Sequence, residues 1–225
     1  MIYTVTLNPA LDHFIDVDDL SVDDANRVKS ECLYAGGKGI DVSRALRHLG
    51  SDSMALGFIG GHNGNIMVDL LKAEGVNCYF TPISRETRRN IIICAGAERR
   101  RTQTMLNAPG PSATRVEWRN FLSHLKLLDL RDAYVVVSGS LCHGVPADAY
   151  RQIVALVQAH GARAVLDADG ACLREGLKAK PFAIKPNLNE LRRALGKPLR
   201  TDAEVVAAAA ALNRSGVEIV LISRG

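Results

Sequence analysis

The stretch Leu33–Gly50, LYAGGKGIDVSRALRHLG, places a glycine-rich loop with one lysine directly before a run with helical periodicity. Glycines at the beginning of a helix leave backbone N–H groups free, and such groups form a natural anion site. The spacing is not that of the P-loop, because no hydroxyl residue follows Lys38. Taken alone, the loop fits equally well a tight turn whose glycines only permit unusual backbone angles.

Short β-branched runs alternate with amphipathic runs along most of the chain. The predicted strands are Ile2–Leu7, Met54–Ile59, Asn90–Cys94, Ala133–Ser138, Ala162–Asp167, Phe182–Lys185 and Glu218–Ser223. The predicted helices are Gly39–Leu49, Asn63–Glu74, Arg115–Leu127, Ala147–His160, Asn189–Leu195 and Asp202–Ser215. This alternation predicts an α/β fold with a mostly parallel sheet covered on both faces. Ligands are then expected beyond the carboxyl ends of the strands.

Two segments do not follow the alternation. Residues 14–34 are polar and broken, and residues 88–107 are typical of a hairpin that turns near Ala97–Arg100. We expect both segments to form a small β element outside the main sheet.

Composition bounds the class of protein. The 225 residues are 47% hydrophobic and 23% charged, as in an ordinary globular protein. The net charge of +4 is modest, and aromatic residues (5%) do not interleave with basic ones, so we expect no nucleic-acid partner. The five cysteines show no C-x-x-C spacing, which favours a reducing compartment. With no apolar stretch of about 20 residues, we expect a cytoplasmic protein without a membrane segment.

Two further motifs follow predicted strands. SGSLCHG (Ser138–Gly144) offers two hydroxyl groups to a phosphate or sugar, or else forms an ordinary turn and helix cap. KPNLNEL (Lys185–Leu191) sets a lysine, an amide and a carboxylate before a helix, which suits nucleotide phosphates and Mg²⁺. The same residues fit a capping box with Asn187 as N-cap and Glu190 at the third helical position.

Taken together, the motifs LNPALD, GGKGIDVSRALRHLG, ETRRN, PGP, SGSLCHGVP and IKPNLNEL occur in an order that resembles the PfkB (ribokinase-like) carbohydrate kinases. The resemblance is greatest to the branch of 1-phosphofructokinases and tagatose-6-phosphate kinases, and it extends from Met1 to Gly225. It implies a three-layer α/β/α fold with a mostly parallel sheet and a small β lid. Residues 14–34 and 88–107 would form this lid, which in the family is also the homodimer interface.

The resemblance also implies ATP- and Mg²⁺-dependent transfer of a phosphoryl group to a sugar phosphate. The substrate-binding residues that it implies are Asp12, Arg27, Gly36, Gly37, Lys38, Asp41, Arg88 and Ser140. Four of them would hold the phosphate of the substrate, namely Arg27, Lys38, Arg88 and Ser140. The residues implied for ATP are Lys185, Asn187, Glu190, Ser223 and Gly225, and Glu190 would also serve the metal.

Departures from the family pattern are informative. Asp41 stands where the family has Asn, and an ionised Asp accepts hydrogen bonds but cannot donate them. Its charge would also oppose a nearby phosphate. The usual D-[TS]-S-G is DADG (Asp167–Gly170). The G-A-G-D motif that carries the family's general-base aspartate does not occur in the 225 residues. We therefore expect a C-terminally truncated family member that is not itself a competent kinase.

Three interpretations remain open. The favoured one is a 1-phosphofructokinase sequence, which converts fructose 1-phosphate to fructose 1,6-bisphosphate, with tagatose 6-phosphate or fructose 6-phosphate as alternative acceptors. The second is a non-catalytic protein that binds a sugar phosphate or regulates another protein. The third is an unrelated nucleotide-binding α/β protein such as a dehydrogenase. GFIGGHNG (Gly57–Gly64) disfavours the third, because it lacks the G-x-G-x-x-G order.

Overall fold

The computed structural model of the chain describes residues 1–96 and 101–224. The strands are β1 (Ile2–Thr6), β2 (Ala10–Val17), β3 (Val28–Gly36), β4 (Met54–Ile59), β5 (Asn77–Pro82), β6 (Arg88–Ala95), β7 (Thr102–Leu106), β8 (Tyr134–Ser138), β9 (Arg163–Asp167), β10 (Ala183–Ile184) and β11 (Ile219–Val220). The helices are α1 (Lys38–His48), α2 (Gly61–Ala73), α3 (Arg115–Lys126), α4 (Ala149–Ala159), α5 (Gly170–Leu177), α6 (Leu188–Leu195) and α7 (Asp202–Arg214). Over these ranges, no helix is both long and apolar enough to cross a lipid bilayer.

Seven strands form the larger sheet in the order β11-β10-β9-β8-β1-β4-β5, and every neighbouring pair is parallel. After β1 the chain adds β4 and β5 on one side, and later it returns to add β8 to β11 on the other. The direction of winding therefore reverses between β1 and β8. In open parallel sheets, the crevice beyond the carboxyl ends of the strands at such a switch point binds ligands.

Helices cover both faces of this sheet, because alternate residues of a strand face opposite sides. Val5 of β1 belongs to a buried cluster that includes Phe121 of α3 and Tyr150 of α4. Its neighbour Thr4 is buried on the other face, where its hydroxyl lies 2.7 Å from that of Ser43 on α1. The result is a three-layer α/β/α arrangement.

A second sheet of four strands has the order β3-β2-β6-β7, and we call it the lid sheet. β2 pairs antiparallel with β3 and parallel with β6, which pairs antiparallel with β7. The first of the two predicted lid segments, residues 14–34, is longer in the structure, because β2 already begins at Ala10 and β3 ends only at Gly36. The turn expected near Ala97–Arg100 lies outside the described residues. Gly36 is buried where the lid sheet meets α1, whereas Val28 is exposed at the other end of β3.

Several elements were not predicted as such from the sequence. β2 carries Asp12, His13 and Asp16 among its apolar residues, and this mixture hides the strand. β5 lies at the edge of the large sheet and ends in a proline, which strand patterns disfavour. α5 is only eight residues long and includes two glycines, which have low helix propensity. These elements form because neighbouring strands and helices stabilise them, a contribution that local sequence patterns do not report.

Gly57→Ala is expected to destabilise the protein strongly. Gly57 of β4 lies beside Thr6 of β1 at a φ of +148°, and a Cβ there would overlap the carbonyl group of Thr6. We expect the free energy of unfolding to fall by more than about 3 kcal/mol. The matched control is Gly50→Ala, which has a φ of +76° but open space around the new Cβ. It should cost about 1 kcal/mol. Denaturant unfolding measures both, and equal losses would contradict the overlap.

Candidate functional site

A cavity of about 390 Å³ opens at the switch point, and we call it the central cavity. The ends of β1, β8 and β9 and the N-terminal ends of α1, α5 and α6 surround it. Its lining residues are Thr6, Asn8, Gly37, Lys38, Arg88, Gly139, Ser140, Asp169, Cys172 and Glu190. Four of these are sites predicted for the substrate and one is a site predicted for ATP, so the fold brings the two groups together.

A second cavity of about 380 Å³ lies between the lid sheet and α1, and we call it the lid cavity. Asp12, Gly36 and Asp41, three further predicted substrate residues, line it together with Arg44. A Cβ at Gly36 would overlap the carboxyl group of Asp12. A side chain at this position would therefore displace the Asp12 carboxyl group from its place against the backbone of β3.

Two carboxyl groups face the lid cavity. Asp12 Oδ1 accepts a hydrogen bond of 2.7 Å from Asn90 Nδ2, and burial is the main cause that raises the pKa of Asp12. Burial also raises the pKa of Asp41, and the nearby charge of Asp12 adds to this. Arg44 Nη1 donates to Asp41 Oδ1 at 2.9 Å. The Asp41 charge is thus partly balanced by Arg44, and it lies in the lid cavity, apart from the basic residues of the central cavity.

Two lysine ammonium groups lie close to two carboxylates beside the central cavity. Lys38, the first residue of α1, has its Nζ 3.6 Å from Glu190 Oε1 and 3.8 Å from Asp167 Oδ1. Lys185 Nζ lies 3.4 Å from Asp167 Oδ2. Both lysine side chains are half exposed, whereas the two carboxylates are largely buried. The ammonium groups therefore remain accessible to an anion.

Four buried polar atoms have no hydrogen-bond partner within residues 1–96 and 101–224. They are Thr6 Oγ1, Asn8 Oδ1, Ser138 Oγ and Asp167 Oδ1. All four residues lie at or just beyond the carboxyl ends of β1, β8 and β9. A buried polar atom without a partner costs free energy, so such a group indicates a place where a ligand or water completes the hydrogen bonding.

Arg88 lines the central cavity, but much of its guanidinium group is engaged by the backbone. It donates to the carbonyl oxygens of Asn8 (3.0 Å), Pro9 (3.4 Å) and Ala108 (3.2 Å). Burial lowers the pKa of Arg88, which nevertheless remains charged at neutral pH. Of the five N–H donors of a guanidinium group, two remain for a ligand.

The KPNLNEL motif forms the capping box. Asn187 Oδ1 accepts from the Glu190 backbone N–H (2.9 Å), and Glu190 Oε2 accepts from the Asn187 N–H (2.8 Å). The other oxygen of Glu190 faces Lys38 in the central cavity. Ser223 lies beside Asn187 through a short parallel bridge, outside the residues that line this cavity. The predicted site residue Gly225 lies outside the described residues.

Arg27 lies outside the residues that line the two cavities of a single copy of the chain, and its role in phosphate binding stays a prediction. It precedes β3, whose nine residues span about 30 Å at roughly 3.4 Å per residue. The other end of β3, Gly36, is the end that lines the lid cavity. The sequence motif alone contains no information on this distance, because the length of the strand was not recognised.

Sequence reasoning did not select Thr6, Asn8, Asp167, Asp169 or Cys172 as site residues. Thr6, Asn8 and Asp167 end or follow strands, so the rule that ligands bind beyond strand ends could have indicated them. Asp169 belongs to the DADG departure after β9, and Cys172 follows it in α5. Their place in the cavity depends on α5, a helix that the sequence pattern does not predict.

The carboxylates of Asp167 and Glu190 are the candidates for a magnesium site. In the described part of the chain, no group of three or more His, Cys, Asp and Glu side chains has a metal-binding arrangement. Mg²⁺, however, commonly uses one or two protein carboxylates and takes its other ligands from phosphates and water. Asp167 Oδ1 has no hydrogen-bond partner, so the pair fits a magnesium ion bound together with phosphates.

The crevice at the switch point thus contains basic side chains that can bind an anion, and beside them carboxylates that can accept hydrogen bonds from hydroxyl groups. Together they define an α/β protein with an anion-binding crevice. Residues 5–225 match the pfkB family of carbohydrate kinases, and the chain belongs to this family. This confirms the family predicted from the sequence motifs.

Similarity to individual proteins covers the whole chain. This chain is 36% identical over 223 residues to 1-phosphofructokinase of Bacillus subtilis, and the match covers 99% of this chain and 72% of that protein. It is 37% identical over 226 residues to 1-phosphofructokinase of Xanthomonas campestris, covering 99% and 70%. The crystal structure of Escherichia coli phosphofructokinase-2 with fructose-6-phosphate has a TM-score of 0.92 at 30% identity, covering 100% and 74%. The ribokinase-like α/β/α fold is thereby confirmed.

Asp12→Asn is expected to lower the pKa of Asp41, because the charge of Asp12 contributes to raising that pKa. Carbon-detected NMR titration of the aspartate carboxyl groups measures the shift. Asp16→Asn on the same strand is the matched control, and it should leave the pKa of Asp41 unchanged. An unchanged Asp41 pKa in the Asp12 variant would show that the two carboxyl groups do not share one electrostatic environment.

Proposed function

We propose that this chain carries the sugar-phosphate-binding part of an ATP-dependent kinase whose acceptor is fructose 1-phosphate and whose product is fructose 1,6-bisphosphate. The observation that carries the proposal is the division of the crevice. Asp12 and Asp41 line one cavity, whereas Lys38 and Arg88 line the next. A sugar phosphate needs both, since carboxylates accept from its hydroxyl groups and cations bind its phosphate. The names of the Bacillus and Xanthomonas relatives support fructose 1-phosphate.

The chain's own residues would bind and orient the acceptor. Asp12 accepts from sugar hydroxyl groups, and the backbone of Gly36 and Gly37 allows the sugar to approach closely. Lys38 and the two remaining N–H donors of Arg88 bind the phosphate, with the Ser140 hydroxyl beside them. Such positioning and charge balance account for most of the catalysis in phosphoryl transfer.

The nucleotide side of the proposal involves Lys185, Asn187, Glu190 and Ser223. ATP supplies the transferred phosphoryl group, and Mg²⁺ balances its charge. Lys185 binds a phosphate oxygen, and Glu190 with Asp167 holds the ion. Asn187 Oδ1 caps α6, which leaves its Nδ2 to donate to a phosphate. No residue of the central cavity is assigned the role of general base, so we propose that these 225 residues bind sugar phosphate without turning it over.

Two alternatives keep specific support. The Escherichia coli structure is a complex with fructose-6-phosphate, which favours that sugar as an alternative acceptor. A non-catalytic sugar-phosphate-binding protein would use the same two cavities. Binding measurements with several sugar phosphates distinguish the acceptors, and an assay of ADP release distinguishes binding from turnover.

We also propose the lid sheet as the contact between two copies of the chain. Its edge strands β3 and β7 expose large apolar side chains, namely Val28, Tyr34, Met105 and Leu106. Exposed apolar surface of this kind is typical of protein interfaces.

Titration calorimetry with fructose 1-phosphate, fructose 6-phosphate and tagatose 6-phosphate tests the proposed function. Fructose 1-phosphate should bind with the highest affinity, and Lys38→Met should weaken it at least about tenfold, since a charge-assisted hydrogen bond is lost. Lys72→Met, which removes an exposed lysine of α2, is the matched control. Absence of binding, or binding that Lys38→Met leaves unchanged, would overturn the proposal. ADP release by the 225-residue chain would contradict its assignment as a binding part only.

Glu190→Gln is expected to separate stability from ligand binding. Glutamine also completes a capping box, so the free energy of unfolding should change by less than about 1 kcal/mol. The increase in ATP affinity that Mg²⁺ provides should be lost. Glu204→Gln is the matched control, because Glu204 holds the same capping position in α7. If ATP binding to the Glu190 variant still responds to Mg²⁺, Glu190 is not a metal ligand.

A further inference from the structure

Asn8 follows β1, and its side chain binds the loop that follows β8. Asn8 Nδ2 donates to Ser140 Oγ at 3.1 Å. The two residues are 132 positions apart in the chain, and they meet because β1 and β8 are neighbouring parallel strands. Both residues line the central cavity, but Asn8 is only 7% exposed whereas Ser140 is exposed. A buried amide thus binds a hydroxyl group that remains accessible in the cavity.

This hydrogen bond determines what the Ser140 hydroxyl group can offer to a ligand. A serine hydroxyl group has one hydrogen to donate and two lone pairs that accept. The amide nitrogen of Asn8 only donates, so it occupies a lone pair of Ser140 Oγ and leaves the hydroxyl hydrogen free. Within residues 1–96 and 101–224, the Ser140 side chain makes no other hydrogen bond. Ser140 can therefore donate to an anion such as a phosphate oxygen.

The main chain of Asn8 holds a second residue that was predicted to bind phosphate. The carbonyl oxygen of Asn8 accepts from Arg88 Nη2 at 3.0 Å. Asn8 therefore contacts Ser140 through its side chain and Arg88 through its main chain, and all three residues line the central cavity. Binding of a phosphate group requires donors at defined positions. Asn8 sets the position of the hydroxyl donor relative to the charged one.

The PGP motif packs against the amide group of Asn8. A Cβ at Gly110 would overlap Oδ1 and Nδ2 of Asn8, so the backbone of Gly110 lies directly against the amide. The φ of Gly110 is outside the left-handed region, which means that alanine fits the backbone conformation there. A side chain at Gly110 would thus act on Asn8 by displacing its amide group from Ser140.

Stability alone does not favour an asparagine at position 8. In the described part of the chain, the bond to Ser140 is the one hydrogen bond that the side chain makes, and Oδ1 is buried without a partner. Burial of an amide whose hydrogen bonding is incomplete costs free energy. The cost is understandable where the amide acts on a ligand through Ser140.

We propose that Asn8 is a positioning residue that directs the hydroxyl hydrogen of Ser140 towards a phosphate group bound in the central cavity. Without the amide, the hydroxyl group rotates and also presents lone pairs, which repel phosphate oxygens. Gly110 holds the amide in place. The inference rests on the proposed function for the contact between Ser140 and a phosphate, and it applies to any phosphate ester and to inorganic phosphate.

A double-mutant cycle tests the inference with wild type, Asn8→Ala, Ser140→Ala and the double variant. Calorimetry measures the affinities for inorganic phosphate and for fructose 1-phosphate separately. Ser140→Ala should weaken binding about tenfold, since a charge-assisted hydrogen bond is lost. Asn8→Ala should weaken it about threefold to fivefold, because the hydroxyl group remains but is no longer directed. In the Ser140→Ala background, Asn8→Ala should cost less than about twofold more, since no hydroxyl group is left to direct.

Gly110→Ala tests the same inference from a residue outside the lining of the central cavity. It should weaken phosphate binding as Asn8→Ala does. In the Asn8→Ala background it should have no further effect, because no amide is left to displace. Asn213→Ala is the matched control, since Asn213 Nδ2 donates to the carbonyl oxygens of Val217 and Glu218, outside this cavity. It should leave phosphate affinity unchanged, and thermal unfolding shows whether each variant is folded.

The cycle distinguishes positioning from a structural role. A structural role would weaken binding by the same factor in the wild-type and Ser140→Ala backgrounds, and this result would overturn the inference. So would an affinity that Asn8→Ala leaves unchanged, or a loss from Gly110→Ala that persists in the Asn8→Ala background.

The two ligands separate the inference from the proposed function. If inorganic phosphate shows the expected pattern and fructose 1-phosphate does not bind, only the proposed function is overturned. If fructose 1-phosphate binds and neither ligand shows the pattern, only the inference is overturned. The pattern with fructose 1-phosphate supports both, and a wild-type chain that binds neither ligand overturns both.

Discussion

The parallel register of β1, β8 and β9 is the constraint on which the candidate site depends. Val5 pairs with Val137 and Ser138 pairs with Asp167, so the three strands end at the same edge of the sheet. Thr6, Ser138 and Asp167 then each present a buried oxygen there that has no hydrogen-bond partner in the described part of the chain. Because successive side chains of a strand alternate between faces, a shift of one residue in any strand would turn its polar group away.

The fold was predictable from the sequence because alternating apolar patterns report strands and helices directly. The family was predictable because several motifs occur in one order, and both predictions are confirmed. Site residues were predictable only where they belong to a recognisable motif, as Lys38 and Asp12 do. The roles of these residues remain predictions. The length of β3 separates Arg27 from Gly36, a distance that the sequence motif does not report, and the role of Arg27 also remains a prediction.

KPNLNEL shows that two interpretations of one motif are compatible. Glu190 Oε2 caps α6, and Glu190 Oε1 faces Lys38, so one carboxylate serves the helix and the cavity. The ion pair between Asp169 of the central cavity and Arg193 of α6, in contrast, was not predictable. It joins residues 24 positions apart, and it depends on an angle between α5 and α6 that no local pattern reports. Pairings set by packing between helices are the part of such a site that sequence reasoning misses.

Arg88 has a mechanical consequence for the lid sheet. The chain passes between the two sheets at four places, around residues 7–9, 37, 83–87 and 107–111. Arg88 stands at the end of one passage, and its guanidinium group binds carbonyl oxygens of Asn8 and Pro9 in another and of Ala108 in a third. Three of the four connections are thus fixed to one side chain. A movement of the base of the lid sheet relative to the large sheet would therefore have to break these hydrogen bonds.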